Sequence, residues 1–542
     1  MPMVNPISLK KRAILVLALA ALALASAPVA ARAAYLRNYP LTIVQPDGET
    51  LDCFTSGDER RHRVHDADGY TILKNHDSGL YVYAIQQESR VVPSEFRVGR
   101  WNPGALGIAR NLMPEPAATG PARPLRFLAS PQNPQQIHRA PGTSGFDNIV
   151  VFIRFSDDLE FGESITQYGS LFDMDAAGHN SLINYFQEVS YGQLAIRSIF
   201  CPFPEKLQVV SYKDSHSRQY FQPYDPRTNT QGYQSDFDAA IREQTLLRDA
   251  IDSLAGQIST SLNIDSDRDG YVDNVCFIIK GDPDGWGDLL WPHMWSLYLT
   301  NASINNKRVY TYNFQLQNSL RWSGVGVLCH EMFHSLGSPD LYHYTDNGLS
   351  PVGQWDIMEN DLNPPQHMGA YMKFKYGRWV DSIPEITATG TYTLFPLTSS
   401  SQNCYKIKSP ASSTEYFVLE YRKKTGTFES SLPGEGLLVY RIDTQAEGNA
   451  GGPPDEVYIY RPDGTLTLDG RVNEANYSLN VGRTAINDTT NPSAFLSDGT
   501  LGHLNISQVG PAGDTISFQV TLSSTSAAVA APSVKRDSGP GR

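Results

Sequence analysis

The feature that most constrains this chain is a short run, residues 330–340, that reads HEMFHSLGSPD. On a helix, His330 and His334 lie one turn apart on the same face, so both imidazoles can reach one metal ion. Glu331 projects beside them and is placed to accept a proton from metal-bound water rather than to bind the metal. The run therefore predicts a catalytic zinc site.

The residues around the two histidines favour a helix that ends soon after them. Apolar residues recur at spacings of three and four, on a different side of the helix from the histidines: Val325, Leu328, Met332 and Leu336. Gly337 is a typical helix stop, and Pro339 cannot continue the helix. A chain that turns sharply at this glycine can bring Asp340 back under the metal.

The surrounding sequence carries a family resemblance. The pattern HExxHxxGxxD resembles the metzincin zinc peptidases, with Asp340 where most of them have a third histidine, and residues 353–358 (GQWDIM) look like their methionine turn. Other segments resemble the immune inhibitor A family of secreted bacterial metallopeptidases. They follow one another in order over residues 143 to about 381, at 148–157, 188–194, 290–295 and 364–373.

The resemblance implies a metzincin-like α+β fold, with a twisted sheet and a zinc helix. It further implies a zinc endopeptidase that hydrolyses extracellular proteins or peptides. Zinc would be held by His330, His334 and Asp340, with Glu331 as general base and Met358 in the turn beneath the metal. One alternative takes Glu359 as the third ligand in place of Asp340. A second is an inactive peptidase scaffold that serves as an adhesin or binding protein.

Charge and length exclude some classes of protein. The net charge is −13 and no basic cluster occurs, which argues against nucleic-acid binding because that function needs a cationic surface. A chain of 542 residues is too long for one core, so several folded units are expected.

The N-terminus predicts export. Lys10, Lys11 and Arg12 precede an apolar stretch at 13–25, and the small residues around position 33 offer a cleavage site. An uncleaved anchor is the alternative, although the apolar stretch is short for a bilayer span. We expect a secreted protein with no membrane attachment after signal cleavage.

Composition changes along the chain predict six regions. They are a signal peptide (1–33), a β-rich segment (34–102), a linker rich in Pro, Ala, Gln and Arg (103–142), the catalytic domain (143–381), a C-terminal β-sandwich (382–523) and a disordered tail (524–542). The β-rich segment looks like the prodomain found before such catalytic domains. Its expected role is to occlude the cleft until the linker is cleaved.

The cysteines are five in number and scattered, so they do not form a disulfide framework. Cys53 is interpreted as a buried structural thiol; the alternative is a thiolate that caps the zinc. Cys329 points about 100° away from its neighbour His330 on the helix, which also favours a buried thiol.

A second metal site is predicted at residues 265–273. Asp265, Asp267, Asp269 and Asp273 alternate around a glycine turn, and oxygens in this pattern can converge on a hard cation. The twelfth position is Cys276 rather than the bidentate Glu of an EF-hand. We therefore expect structural calcium, with a solvated turn as the alternative.

Residues 308–314 are strand-like and precede the zinc helix. In metzincin-like folds an edge strand near this point holds the substrate backbone by β-addition. The resemblance alone assigns that role to this strand.

Overall fold

The computed structural model describes residues 35–58, 61–75, 78–88, 90–114, 142–204, 206–283, 289–345 and 348–522. The predicted signal peptide, most of the predicted linker and the predicted tail lie outside these residues. The described chain forms several separate sheets and few helices, consistent with the expected α+β class. Within it, no helix is both long and apolar enough to cross a membrane.

The N-terminal part is a six-stranded antiparallel sheet whose strands pair in sequence order. Its strands are β1 (Leu36–Val44), β2 (Thr50–Gly57), β3 (His62–His65), β4 (Thr71–Lys74), β5 (Tyr81–Gln87) and β6 (Arg90–Arg97). Apolar residues that include Ile43, Val64 and Ile72 form a small core of its own. The β-rich segment expected here is thus present, and its role as a prodomain stays a prediction.

The central sheet has the order β11-β14-β10-β7-β8, with β9 also paired to β7. The strands of this region are β7 (Phe146–Arg154), β8 (Ile196–Cys201), β9 (Tyr212–Lys213), β10 (Val275–Ile279), β11 (His293–Ser296), β12 (Ala302–Ile304), β13 (Lys307–Val309) and β14 (Thr311–Leu316). All pairs in the sheet are parallel except β11 with β14. Strand β10 is apolar and buried throughout, which is typical of a parallel strand covered on both faces.

Six α-helices of the described residues pack on this sheet or follow it. They are α1 (Ile165–Phe172), α2 (Leu182–Val189), α3 (Asp236–Leu254), α4 (Gln317–Ser323), α5 (Val325–Ser335) and α6 (Ala370–Met372). Shorter helical turns are 3₁₀ at Arg218–Phe221, Ala255–Gln257, Gly353–Trp355, Val472–Glu474 and Leu479–Val481, and π-helical at Lys373–Gly377. Every residue of α5 is buried, so this helix lies inside the molecule rather than on its surface.

The C-terminal part contains two antiparallel sheets, with strand orders β16-β17-β18-β19 and β15-β21-β20. The strands are β15 (Gly390–Leu394), β16 (Cys404–Lys408), β17 (Glu415–Arg422), β18 (Gly436–Asp443), β19 (Val457–Ile459), β20 (Ile506–Ser507) and β21 (Ile516–Val520). The two sheets share one core. The β-sandwich assignment itself stays a prediction.

The four-stranded sheet is buried on both faces. Val418 and Leu438 belong to the same core as helix α5, whereas the neighbouring Leu419 and Val439 belong to the core shared with the three-stranded sheet. Because side chains alternate along a strand, one sheet serves two cores. The core around α5 therefore continues across the domain boundary predicted at residue 381.

The five cysteines are buried free thiols. Cys53 lies in the N-terminal core, where its Sγ donates to the Leu41 carbonyl at 3.2 Å. Burial raises the pKa of this thiol to about 12. Cys53 thus faces its own sheet, as the buried-thiol interpretation predicted.

Candidate metal centre

The helix that carries the two histidines ends as its sequence predicts. Helix α5 stops at Ser335, and Gly337 adopts a φ of +99°. The Gly337 N–H donates to the His334 carbonyl at 2.7 Å and the Ser338 N–H to the Phe333 carbonyl at 3.1 Å. These two bonds form a Schellman motif, which turns the chain sharply after the second histidine.

The turn brings Asp340 back to the two histidines. Nε2 of His330 and Nε2 of His334 are 3.1 Å apart. Asp340 Oδ1 lies 3.2 Å from the first nitrogen and 3.1 Å from the second. The three side chains predicted as zinc ligands therefore converge, and each is at most 1% exposed.

Both histidines present a lone pair to this point. His330 Nδ1 lies 2.8 Å from the Ile357 carbonyl and His334 Nδ1 lies 2.8 Å from the Ser338 carbonyl. Since a carbonyl only accepts, we assign the ring proton to Nδ1 in each case, which leaves Nε2 unprotonated. This second contact is the usual way in which a protein orients a metal-binding histidine.

Three buried atoms that each carry a lone pair thus lie close together, namely Nε2 of the two histidines and Oδ1 of Asp340. Asp340 Oδ1 finds no hydrogen-bond donor among the described residues. Burial lowers the pKa of His330, but contact with the Asp340 carboxylate outweighs it and raises the pKa to about 9, so this position favours a positive charge, whether a proton or a metal ion. The same contacts hold the pKa of Asp340 far below its usual range despite its burial. Two nitrogens and one carboxylate oxygen need a cation at their centre, and this donor set fits zinc.

Residues on the loop after α5 fix the third ligand. Tyr344 Oη donates to Asp340 Oδ2 at 2.6 Å, so one carboxylate oxygen is held while the other faces the histidines. The Leu341 N–H donates to the Met358 carbonyl at 2.9 Å. No sequence motif marks Tyr344 for this role.

The predicted methionine turn lies beneath the site. Met358 is fully buried in the core that contains α5. The backbone carbonyls of the turn make the polar contacts, at Ile357 to His330 and at Met358 to Leu341. Asp356 holds the turn by accepting from the Met358 N–H at 2.9 Å and the Gly369 N–H at 2.8 Å.

Glu331 is fully buried and lies next to the ligand group without belonging to it. Its backbone carbonyl accepts from Asn313 Nδ2 at 3.0 Å, and the same amide donates to Ser335 Oγ at 3.0 Å. Strand β14 thus ties this turn of α5 to the central sheet. Glu331 follows the first histidine directly on this helix, which is where the motif predicts a general base.

Glu359, the alternative third ligand, is used elsewhere. Its carboxylate accepts from the N–H of Val352 at 2.6 Å, from the N–H of Gly353 at 2.7 Å and from the Ser350 hydroxyl. These bonds hold the start of the methionine turn. Glu359 is absent from the group of converging ligand atoms found among the described residues.

The expectation that residues 308–314 form a substrate-binding edge strand is wrong. Strand β14, which contains most of them, lies between β10 and β11 and is hydrogen-bonded on both sides. Among the described residues, the antiparallel strand β11 stands at the edge instead. Neighbours in a sheet are set by long-range pairing, which strand propensity does not reveal.

The predicted calcium loop brings three of its four aspartates together. One carboxylate oxygen each of Asp265, Asp267 and Asp269 lie within 4.8 Å of one another. Asp273 instead accepts from the Ser266 N–H at 2.9 Å. Lys307 Nζ lies 2.5 Å from Asp265 and supplies positive charge there.

Comparison with known proteins agrees with the geometry of the metal centre. Residues 263–363 match the family model of the immune inhibitor A peptidase M6 catalytic domain, and this segment holds α5, Asp340 and Met358. No curated protein matches the chain as a whole or in part. Residues 263–363 are therefore similar to the catalytic domain of the immune inhibitor A peptidases, the family that the motifs predicted.

Proposed function

We propose that this protein is a secreted zinc-dependent endopeptidase that hydrolyses extracellular proteins or peptides. The observation that carries the proposal is the meeting of three buried lone-pair atoms, from His330, His334 and Asp340, within 3.2 Å of one another. Glu331 stands beside them on the same helix. The family match supports peptidase activity, and the predicted signal peptide supports export.

The residues divide the chemistry between them. His330, His334 and Asp340 would hold zinc, which lowers the pKa of a bound water towards about 7 and polarises the scissile carbonyl. Glu331 takes the proton of the attacking water and returns it to the departing amine. Burial of all four side chains strengthens these electrostatic interactions.

Strand β11 is the proposed binding site for the substrate backbone. Among the described residues it is paired on one side only, with β14. An extended peptide can add to such an edge through main-chain hydrogen bonds. His293–Ser296 thus replaces residues 308–314 in this role.

Zymography on casein or gelatin, with Glu331→Ala as the inactive variant, tests the proposed function. The alternative of an inactive scaffold that acts as an adhesin or binding protein predicts no clearing by either protein.

We further propose that the N-terminal sheet keeps the enzyme latent. Leu36 and Tyr39 of β1 form one buried cluster with Trp291 and with Val327 of α5. Val327 lies one helical turn before Glu331, on the same face. The His62 ring also stacks on Trp291, with 4.7 Å between centroids. The N-terminal sheet thus covers the helix next to the general base.

Two more contacts bring the same segment to the loops around the metal centre. The ring of Tyr35 meets that of Tyr342 edge-on at 6.0 Å. With its amide oxygen turned towards Arg37, Asn360 accepts from the guanidinium at 3.2 and 3.3 Å. The N-terminal segment thus contacts the loops on both sides of the metal centre.

Cleavage of the linker is therefore expected to activate the enzyme. The experiment places a recognition site for a specific protease within residues 115–141. Cutting there should raise the rate of peptide hydrolysis by at least about tenfold, because the state in which the N-terminal sheet covers the site would no longer dominate. Hydrolysis of a fluorogenic peptide before and after cutting measures the effect, and the control is the same cleavable protein with Glu331→Ala. A secreted form that begins near residue 34 and is already fully active would contradict latency.

Calcium is proposed as a structural ion at Asp265, Asp267 and Asp269. Three alternating carboxylates that already approach one another favour a hard cation, which would displace Lys307 from Asp265. With zinc present throughout, millimolar calcium should raise the Tm by at least about 2 °C. Asp267→Asn should remove this rise. An equal response to calcium in the variant would show that the ion binds elsewhere.

A further inference from the structure

The loop that carries Asp340 is held by a segment more than a hundred positions further along the chain. This segment, residues 448–456, lies between β18 and β19 of the four-stranded sheet and is called the clasp below. It packs against residues 339–344, and it lies beyond the family-matched segment, which ends at residue 363.

Residues 339–344, the loop that carries Asp340, are called the ligand loop. Three hydrogen bonds join the clasp to the backbone of this loop. The Asn449 N–H donates to the Asp340 carbonyl at 2.9 Å, and the Tyr344 N–H donates to the Ala450 carbonyl at 3.0 Å. Asn449 Nδ2 donates to the Leu341 carbonyl at 2.9 Å. The Asn449 side chain is completely buried, so water does not compete for these bonds.

Shape and charge add to this contact. Gly448 has a φ of +66°, and a Cβ atom there would lie 2.5 Å from Cβ of Pro339 and 3.0 Å from the Asp340 carbonyl oxygen. His343 Nε2 lies 2.6 Å from Asp455 Oδ1, with both side chains nearly buried. Only glycine at position 448 allows the clasp to approach Pro339, the residue before Asp340, this closely.

The clasp is itself fixed to its sheet. Asn449 Oδ1 accepts from the Val457 N–H at 3.1 Å, and Asn449 Nδ2 also donates to the Val457 carbonyl at 2.8 Å. The Gly448 N–H donates to Glu456 Oε2 at 2.5 Å. Asn449 therefore connects strand β19 directly to the loop that carries the third ligand.

The ligand loop needs such support. Residues 338–345 contain no helix or strand, so no ladder of backbone bonds determines where Asp340 lies. The two histidines, in contrast, are fixed by α5. A ligand on irregular backbone is positioned by the residues packed around it.

We propose that Asn449 is a positioning residue of the metal centre, and that the C-terminal sheet thereby sets the affinity of the enzyme for zinc. The inference rests on the proposed function, since it assumes that His330, His334 and Asp340 bind zinc. It assigns a role in metal binding to the C-terminal region, for which the sequence predicts only a β-sandwich.

The test compares Asn449→Ala with Asn476→Ala in the full-length protein. Asn476 is a matched control, because it is also nearly buried in the C-terminal part and donates to a backbone carbonyl, that of Glu435, at 2.8 Å. Zinc Kd is measured by competition with a chromogenic chelator. Thermal unfolding of the zinc-free proteins and the visible spectrum of the cobalt-substituted forms are recorded beside it.

We expect Asn449→Ala to raise the zinc Kd by about 10- to 100-fold and to alter the cobalt spectrum, as loss of an outer-sphere partner does. Asn476→Ala should leave both unchanged. Equal zinc Kd values in the two variants would overturn the inference, whereas a wild-type protein that binds no zinc would overturn the proposed function itself. If Asn449→Ala does not fold, Asp455→Asn takes its place, because asparagine keeps the side-chain volume of aspartate. Its zinc Kd is then compared with that of Asn476→Ala.

Discussion

Replacement of Glu331 by alanine is expected to abolish clearing of casein or gelatin while zinc remains bound. General acid–base catalysis by a positioned side chain contributes about 10²- to 10⁴-fold, and Glu331 is the carboxylate that α5 carries beside the first histidine. Zymography detects the loss, and initial rates with a fluorogenic peptide give its size.

Zinc content is the control for this experiment. Because Glu331 is not among the converging ligand residues, the variant should bind as much zinc per chain as the wild-type protein. Glu331→Gln, which keeps the shape of the side chain but cannot accept the proton, should be equally inactive. Equal clearing by wild-type and variant protein would end the proposed mechanism.

The second large effect is expected from Asp340→Ala, which should lose zinc and activity together. Within the group of three converging residues, Asp340 supplies the one oxygen and the one negative charge. Loss of an outer-sphere partner of a metal ligand lowers metal affinity by about 10- to 100-fold. Loss of Asp340, a ligand itself, should lower zinc affinity by more. Metal analysis after dialysis and chelator competition measure the fall.

Glu359→Gln separates the two possible third ligands. Glu359 holds the backbone N–H groups of Val352 and Gly353, so its replacement should lower stability and leave the zinc content intact. The reverse pattern, with zinc retained in Asp340→Ala and lost in Glu359→Gln, would favour the alternative ligand set.

Local signals predicted the centre of the site well. The spacing of His330 and His334, the apolar stripe and Gly337 together specify a helix, its metal-facing side and its end. The structure shows that helix ending at Ser335, with Gly337 in the left-handed region. These properties depend on residues close in sequence, and spacing is enough to read them.

Long-range features were not readable in the same way. The edge strand was assigned to residues 308–314, yet the sheet order places β11 at the edge. Tyr344 and Asn449 were missed because an isolated tyrosine or asparagine carries no motif. The role of Tyr344 follows from its contact with Asp340 within an irregular loop, and that of Asn449 from a contact across 108 positions. Sequence spacing holds no information on such pairs.

The four-stranded sheet that is buried on both faces also bears on how such enzymes can diversify. A sheet with one free face can be exchanged between proteins as a module, because its loss uncovers only its own side. Here the face with Val418 and Leu438 completes the core of α5, while the opposite face completes that of the three-stranded sheet. Recombination at residue 381 would leave both halves with apolar surface uncovered. The C-terminal sheet and the peptidase domain are therefore expected to be inherited together rather than shuffled.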